Sequence, residues 1–257
     1  MTQPSLFVSH GAPTMAVEPS PARDFLRELG SSMRPLPRAI LLVSAHWTTR
    51  GHRVGSTPQP RTIHDFGNFG PELAAMRYEP PGSPDVARAA LVQLHDGGFE
   101  VSEDRERGLD HGAWVPLSLL RPQADIPIAT LSIDPTRDAA YHLRLGRALH
   151  PLRHDGVMIL TSGSLTHDLR SVTWNDPAAP TDAQASEFAA WIHDRVEHDD
   201  REALADWEAR APHAARNHPT PEHFLPFFVA AGAGDAGKRI HSSGTYGALA
   251  MDAYSFA

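Results

Sequence analysis

Cysteine is absent from the 257 residues, so disulfides, iron–sulfur clusters, thiolate-ligated haem and cysteine nucleophiles are excluded. Any metal must therefore bind to nitrogen or oxygen. A basic excess is missing too: 23 Lys and Arg stand against 31 Asp and Glu, a formal net charge of −8. That balance disfavours a nucleic-acid partner, because a polyanion wants a basic face. No run of about 18 apolar residues is available to span a membrane, and Met1-Thr2-Gln3-Pro4-Ser5 carries no basic stretch leading into an apolar one. The expectation is a soluble, cytoplasmic protein without a membrane partner. Neither a repeat nor a Pro/Gly-rich linker divides the chain, which predicts one domain over residues 1–257. With 41% hydrophobic and 21% charged residues, a disordered or fibrous chain is excluded and a packed enzyme-sized globule is the default.

Short apolar runs alternate with amphipathic stretches, the pattern of strands returning through helices. Leu6 to Ser9, Ala39 to Ser44, Ile126 to Ile133 and Gly156 to Thr161 read as strands, the second of them buried on both faces. Ser83-Pro84 opens a helix with Ala87, Ala90, Leu91 and Leu94 on one stripe, closed by Gly97-Gly98. Leu145, Ala148, Leu149 and Leu152 repeat the stripe. A third helix spans about Asp182 to Val196 with Thr181 as N-cap. Thr220-Pro221 reads as N-cap and first residue of a helix reaching about Ala231. The predicted fold class is α/β, a central mixed or largely parallel sheet flanked by helices.

What the chain has in excess is histidine, 16 residues in all. His10 and His46 each follow a predicted strand, and His167 lies in the loop leaving another. In an open α/β sheet, ligands bind beyond the carboxyl ends of the strands, where rigidly held loops converge. Parallel strands would thus bring these imidazoles together, and imidazole is a common ligand for Zn, Fe and Cu. Asn217-His218-Pro219-Thr220-Pro221-Glu222-His223 adds a further ligand, His223 or Glu222, while His218 reads as a solvated loop residue. Asp110-His111-Gly112 sets His111 at a helix start, facing a pocket. Ser162-Gly163-Ser164-Leu165-Thr166 lacks the Gly-x-Ser-x-Gly elbow, which argues against a serine hydrolase. Arg50, Arg170 and Arg216 are the cations available to a substrate carboxylate, although arginine is more often a solvated surface residue. Tyr246 reads as a buried, hydrogen-bonded tyrosine.

Together these segments resemble the class III extradiol ring-cleavage dioxygenases, in particular their DOPA-dioxygenase-like branch. The resemblance rests on six motifs in order: Ser9-His10-Gly11-Ala12-Pro13-Thr14, Ser44-Ala45-His46-Trp47, Asp110-His111-Gly112-Ala113-Trp114, Gly163-Ser164-Leu165-Thr166-His167-Asp168-Leu169, His218-Pro219-Thr220-Pro221-Glu222-His223-Phe224 and Gly244-Thr245-Tyr246-Gly247. It implies a mononuclear non-haem centre with His10, His46 and His223 as metal ligands, His167 as acid/base and His111 as a substrate contact. It also implies Fe(II) for catalysis with Zn(II) possible in the same site, where His167 could become a fourth ligand. Related enzymes outside the branch use a glutamate as third ligand, which keeps Glu222 in contention. The implied partners are a small catechol and O₂. The alternative reading is a zinc-dependent hydrolase using the same histidines, with Glu222 as general base.

Overall fold

The run Ala39–Val43 has no polar face, and a strand of that kind needs apolar cover on both sides. In the computed structural model, which describes residues 2–257, it receives that cover. Leu41 and Val43 enter one apolar core and Ile40 and Leu42 another, on opposite faces of the same strand. The same alternation divides Val157 and Ile159 from Met158 and Leu160, and Phe7 from Leu6 and Val8. The molecule is thus three layers, helices over both faces of a sheet.

The strands in chain order are β1 (Ser5–Ser9), β2 (Ala39–Thr48), β3 (His52–Gly55), β4 (Val101–Asp104), β5 (Ile128–Ile133), β6 (Val157–Gly163), β7 (Gly237–His241), β8 (Gly244–Thr245), β9 (Leu249–Ala250) and β10 (Ala253–Phe256). Eight of them form one sheet in the order β4-β3-β5-β2-β6-β1-β10-β7, and β8 pairs with β9. The centre, β5-β2-β6-β1, is parallel. Antiparallel pairs join β3 to β5, β1 to β10 and β10 to β7. The helices Pro84–Asp96, Ala139–Leu149, Ala183–Glu197 and Leu225–Ala233 supply one core, and Pro21–Ser32 and His111–Leu120 the other. No helix among the described residues is long and apolar enough to cross a membrane.

This bears out the expected α/β class with its mixed, largely parallel sheet, and several boundaries move for identifiable reasons. β2 runs on to Thr48, so His46 lies within a strand and not after it. The helix after β6 is capped by Asp182, whose side chain accepts from Ala185 N, and not by Thr181; a carboxylate also suits the helix dipole. The stripe through Leu152 is broken at His150, because Pro151 cannot donate to the preceding turn, and a separate short helix follows. Thr220-Pro221 does not start the last long helix. That helix begins at Leu225, with Pro226 in its first turn, and residues 219–224 form turns in front of it.

One buried group sets an acid limit on the fold. His142 is fully buried, its Nδ1–H donates to Asp138 O at 2.9 Å, and its Nε2 has no partner. Protonating Nε2 would strand a charged donor in the core, and burial accordingly lowers its pKa to about 4. The unfolded chain takes up this proton near the ordinary histidine value while the folded one does not, so stability is full above about pH 6.5 and falls as pH drops towards 4. His142→Leu should shrink the stability difference between pH 7 and pH 4.5 by about 2–3 kcal/mol, read by urea denaturation at both pH values.

Candidate metal centre

β2, β6 and β1 are parallel neighbours, so their carboxyl ends lie side by side. The first residue past β1 is His10, held by a hydrogen bond from its N to Gly163 O at 2.9 Å. His46 reaches the same place through an irregularity: Val43 lies opposite Leu131 and Thr48 opposite Ile133, so β2 takes five steps (43 to 48) where β5 takes two (131 to 133). The surplus residues form a bulge that re-aims the histidine. His223 comes from the turns before Leu225–Ala233, and its carbonyl accepts from Ser164 N at 2.8 Å, tying that turn to the end of β6.

The three rings converge. His46 Nε2 lies 3.1 Å from His10 Nε2 and 3.3 Å from His223 Nε2, and one nitrogen from each ring falls within 4.8 Å of the other two. The opposite ring nitrogens have partners that decide where the protons sit. Ser162 Oγ donates its only proton to Gly112 O, so it must accept from His10 Nδ1–H at 3.0 Å. Glu222 Oε1 accepts from His223 Nδ1–H at 3.0 Å. Asp65 Oδ2 lies 3.6 Å from His46 Nδ1. In His10 and His223 the Nε2 lone pair is therefore turned towards the common point. Burial, then the neighbouring histidines, drives the His10 pKa well below its ordinary value, and burial lowers those of His46, to about 4, and His223. Neutral imidazoles with converging lone pairs repel one another unless a cation lies between them. Their spacing suits nitrogens each about 2.1 Å from one divalent ion. The residues present fit a mononuclear metal.

Two other clusters of possible ligands overlap this one, His46 with Asp65 and His111, and His167 with Glu222 and His223. Of the two candidates left open by the sequence, His223 points its nitrogen at His46, whereas Glu222 Oε1 is engaged by His223 Nδ1 and by Thr220 Oγ1.

His111 begins its helix as expected, capped by Asp110, whose Oδ1 accepts from Ala113 N. Asp110 Oδ1 also accepts from Ser44 Oγ at 2.6 Å and Oδ2 pairs with Arg107 at 2.7 Å, which fastens the helix to the bulge carrying His46. The His46 and His111 ring centroids are 3.9 Å apart. The next residue, Gly112, leaves no space for a side chain, since a Cβ there would lie 2.6 Å from Ser44 Oγ and 2.8 Å from His46 Cδ2. His111 Nδ1–H donates to Asp65 Oδ1 at 3.0 Å. Burial raises the Asp65 pKa, but the hydrogen bonds from the His111 ring and backbone outweigh it and hold the carboxyl at about 2. His167 stacks on His223 with centroids 3.4 Å apart and planes 10° from parallel, and burial lowers its pKa to about 4.

All five expected residues border one cavity of about 400 Å³, whose remaining wall includes Phe66, Phe69, Leu169 and Trp174. His218 does not join them. It is buried, not solvated, stacked on Phe224 with its Nε2–H donating to Leu165 O at 2.8 Å. Tyr246 is buried as expected, its hydroxyl 3.2 Å from both Thr14 Oγ1 and Glu18 Oε2. Sequence reasoning missed Asp65, Ser162 and the aromatic wall. The signal was His64-Asp65-Phe66-Gly67-Asn68-Phe69-Gly70, where two aromatics and two glycines flank an acid in a loop.

A family model described as the catalytic LigB subunit of aromatic ring-opening dioxygenase matches residues 3–256. The chain is 39% identical to the 4,5-DOPA dioxygenase extradiol of Beta vulgaris, across 98% of this chain and 96% of that one. It is 38% identical to the protein of the same name from Escherichia coli K12, across 92% and 87%. A crystal structure of an uncharacterized Escherichia coli K12 protein superposes with a TM-score of 0.82 at 31% identity, covering 99% of this chain and all of that one. The chain therefore belongs to the LigB family, and it is an oxidoreductase of the aromatic ring-opening dioxygenase class.

Proposed function

We propose that this enzyme opens a catechol ring with O₂ beside, not between, the hydroxyl-bearing carbons, at one divalent ion held by His10, His46 and His223. The observation that carries the reading is the convergence of three neutral imidazoles beneath a cavity that two further histidines, His111 and His167, also border. When bound, such an ion supplies open coordination positions and, as Fe(II), one-electron chemistry between the aromatic ring and O₂; Zn(II) fits the same nitrogens. Glu222, Ser162 and Asp65 hold the ligand rings from behind.

The protein's own groups handle the protons. His167 is neutral at physiological pH, so a ring nitrogen can take the proton of a catechol hydroxyl and return it as the ring opens. His111, with its Nδ1 proton committed to Asp65, offers Nε2 to accept from a substrate hydroxyl and, once protonated there, donates to an oxygen. The hydrolase alternative needs Glu222 as a base; burial raises its pKa, but the hydrogen bonds from His223 and Thr220 to Oε1 outweigh it and hold the carboxyl below its usual range, which leaves it a weak base. A catechol of the kind named for the curated relatives belongs to the proposed class, and a cytoplasmic location would keep the iron reduced.

Iron(II) added anaerobically, followed by catechol and ¹⁸O₂, should give a yellow ring-opened product carrying both labelled atoms; absence of label rejects the reading. His167→Ala should keep its metal and lose about 10²- to 10⁴-fold in kcat, measured by O₂ uptake beside metal analysis. Ser162→Ala, which frees His10 Nδ1, should weaken metal binding by about 10- to 100-fold in a competitive chelator titration.

A further inference from the structure

The cavity above the histidines is larger than one aromatic ring requires, and its surplus is walled by apolar side chains. Phe69, Leu169 and Trp174 border it at 38%, 47% and 50% exposure, three of the five large hydrophobic residues left exposed among the described residues. Exposed apolar surface gathered in a concave wall marks a place that a ligand covers. The wall is continuous with the chemistry: Phe66 packs edge-on against both Phe69 and His111, with centroids 5.8 and 5.6 Å apart. Trp174 leans on Tyr246 at 5.6 Å, and that tyrosine is itself fixed by Thr14 and Glu18.

No Asp, Glu, Lys or Arg is among the described residues that line the cavity. The arginines available in the sequence for a carboxylate are absent from that lining. Arg216 makes two hydrogen bonds to Asp182, at 3.0 and 2.8 Å, Arg170 pairs with Asp168, and Arg50 borders a separate recess with Asp134. Ser164 Oγ donates to Thr166 O and so has no proton left for a ligand. A charged substituent would meet no counter-charge in this lining, whereas each methylene of an alkyl substituent laid on the apolar wall would gain from burial.

We propose that the substrate is a catechol with an uncharged, apolar ring substituent, seated against Trp174, Leu169 and Phe69, in preference to one bearing an amino-acid or carboxylate side chain. The inference rests on the ring-cleaving reading above and names its substrate class. Trp174 is the residue that sets this specificity most directly, being the most exposed of the wall.

Across a series from 4-methylcatechol to 4-butylcatechol, KM should fall by about threefold to fourfold per methylene until the recess is full. L-DOPA and dihydrocaffeate should show kcat/KM about tenfold or more below 4-butylcatechol. Trp174→Ala should cut the ratio of kcat/KM for 4-butylcatechol over catechol by about tenfold, Trp174→Phe should restore it, and Trp174→Arg should move the preference towards dihydrocaffeate. L-DOPA turned over as well as the alkylcatechols overturns the specificity and leaves ring cleavage standing. If no catechol is cleaved, the ring-cleaving reading fails, and calorimetric titration of the anaerobic iron-loaded protein decides the recess. Affinity rising with alkyl length supports it, and equal or tighter binding of L-DOPA overturns it.

Discussion

The arrangement depends on a choice of proton position. An imidazole can offer a lone pair from one nitrogen only when the other holds its proton, and in His10 that is settled by a serine whose own hydrogen is already given to Gly112 O. Glu222 does the same for His223 by accepting from Nδ1. These partners cost little in a folded protein, since each hydrogen bond replaces one to water, yet without them the buried rings could turn donors towards one another. Burial acts in the same direction by keeping the rings uncharged.

The sheet makes the choice possible. Three adjacent parallel strands end together, and the loops leaving them inherit positions fixed by the two cores. One departure from regularity, the bulge in β2, brings His46 across to His10, and Asp110 clamps it by joining Ser44, Arg107 and the first turn of His111–Leu120. A glycine at position 112 lets that helix approach closely enough for His111 to share the site. The scaffold is thus ordinary α/β packing with its precision concentrated at one edge.

Much of this was legible in the sequence because the signals were strong and local. Apolar runs with no polar face gave the central strands, and histidines just past or near their ends gave His10, His46 and His167. Ordered motifs added His111 and His223. Other features depended on tertiary contacts that no spacing encodes. The helix after Thr220-Pro221 starts later because Glu222 and His223 are drawn into the site and Pro226 sits in the first turn. Asp182 displaced Thr181 as cap while also receiving Arg216 from 34 residues away. His218 looked solvated in a Pro-rich stretch, but Phe188, Trp207 and Phe224 enclose its ring. Asp65 and Ser162 matter through the nitrogens they face, and a lone acid or hydroxyl in a loop announces no such partner.

The unbroken hydrophobicity of Ala39–Val43 has a consequence for folding fidelity. A strand apolar on both sides satisfies either core equally well after slipping by one residue, so greasiness alone cannot keep it aligned. What distinguishes the native alignment is its polar end, where Ser44 meets Asp110 deep inside the protein. The same contact that steadies His46 therefore proofreads the central strand, and a chain threaded one step out would be betrayed by an unmatched acid before any substrate arrived.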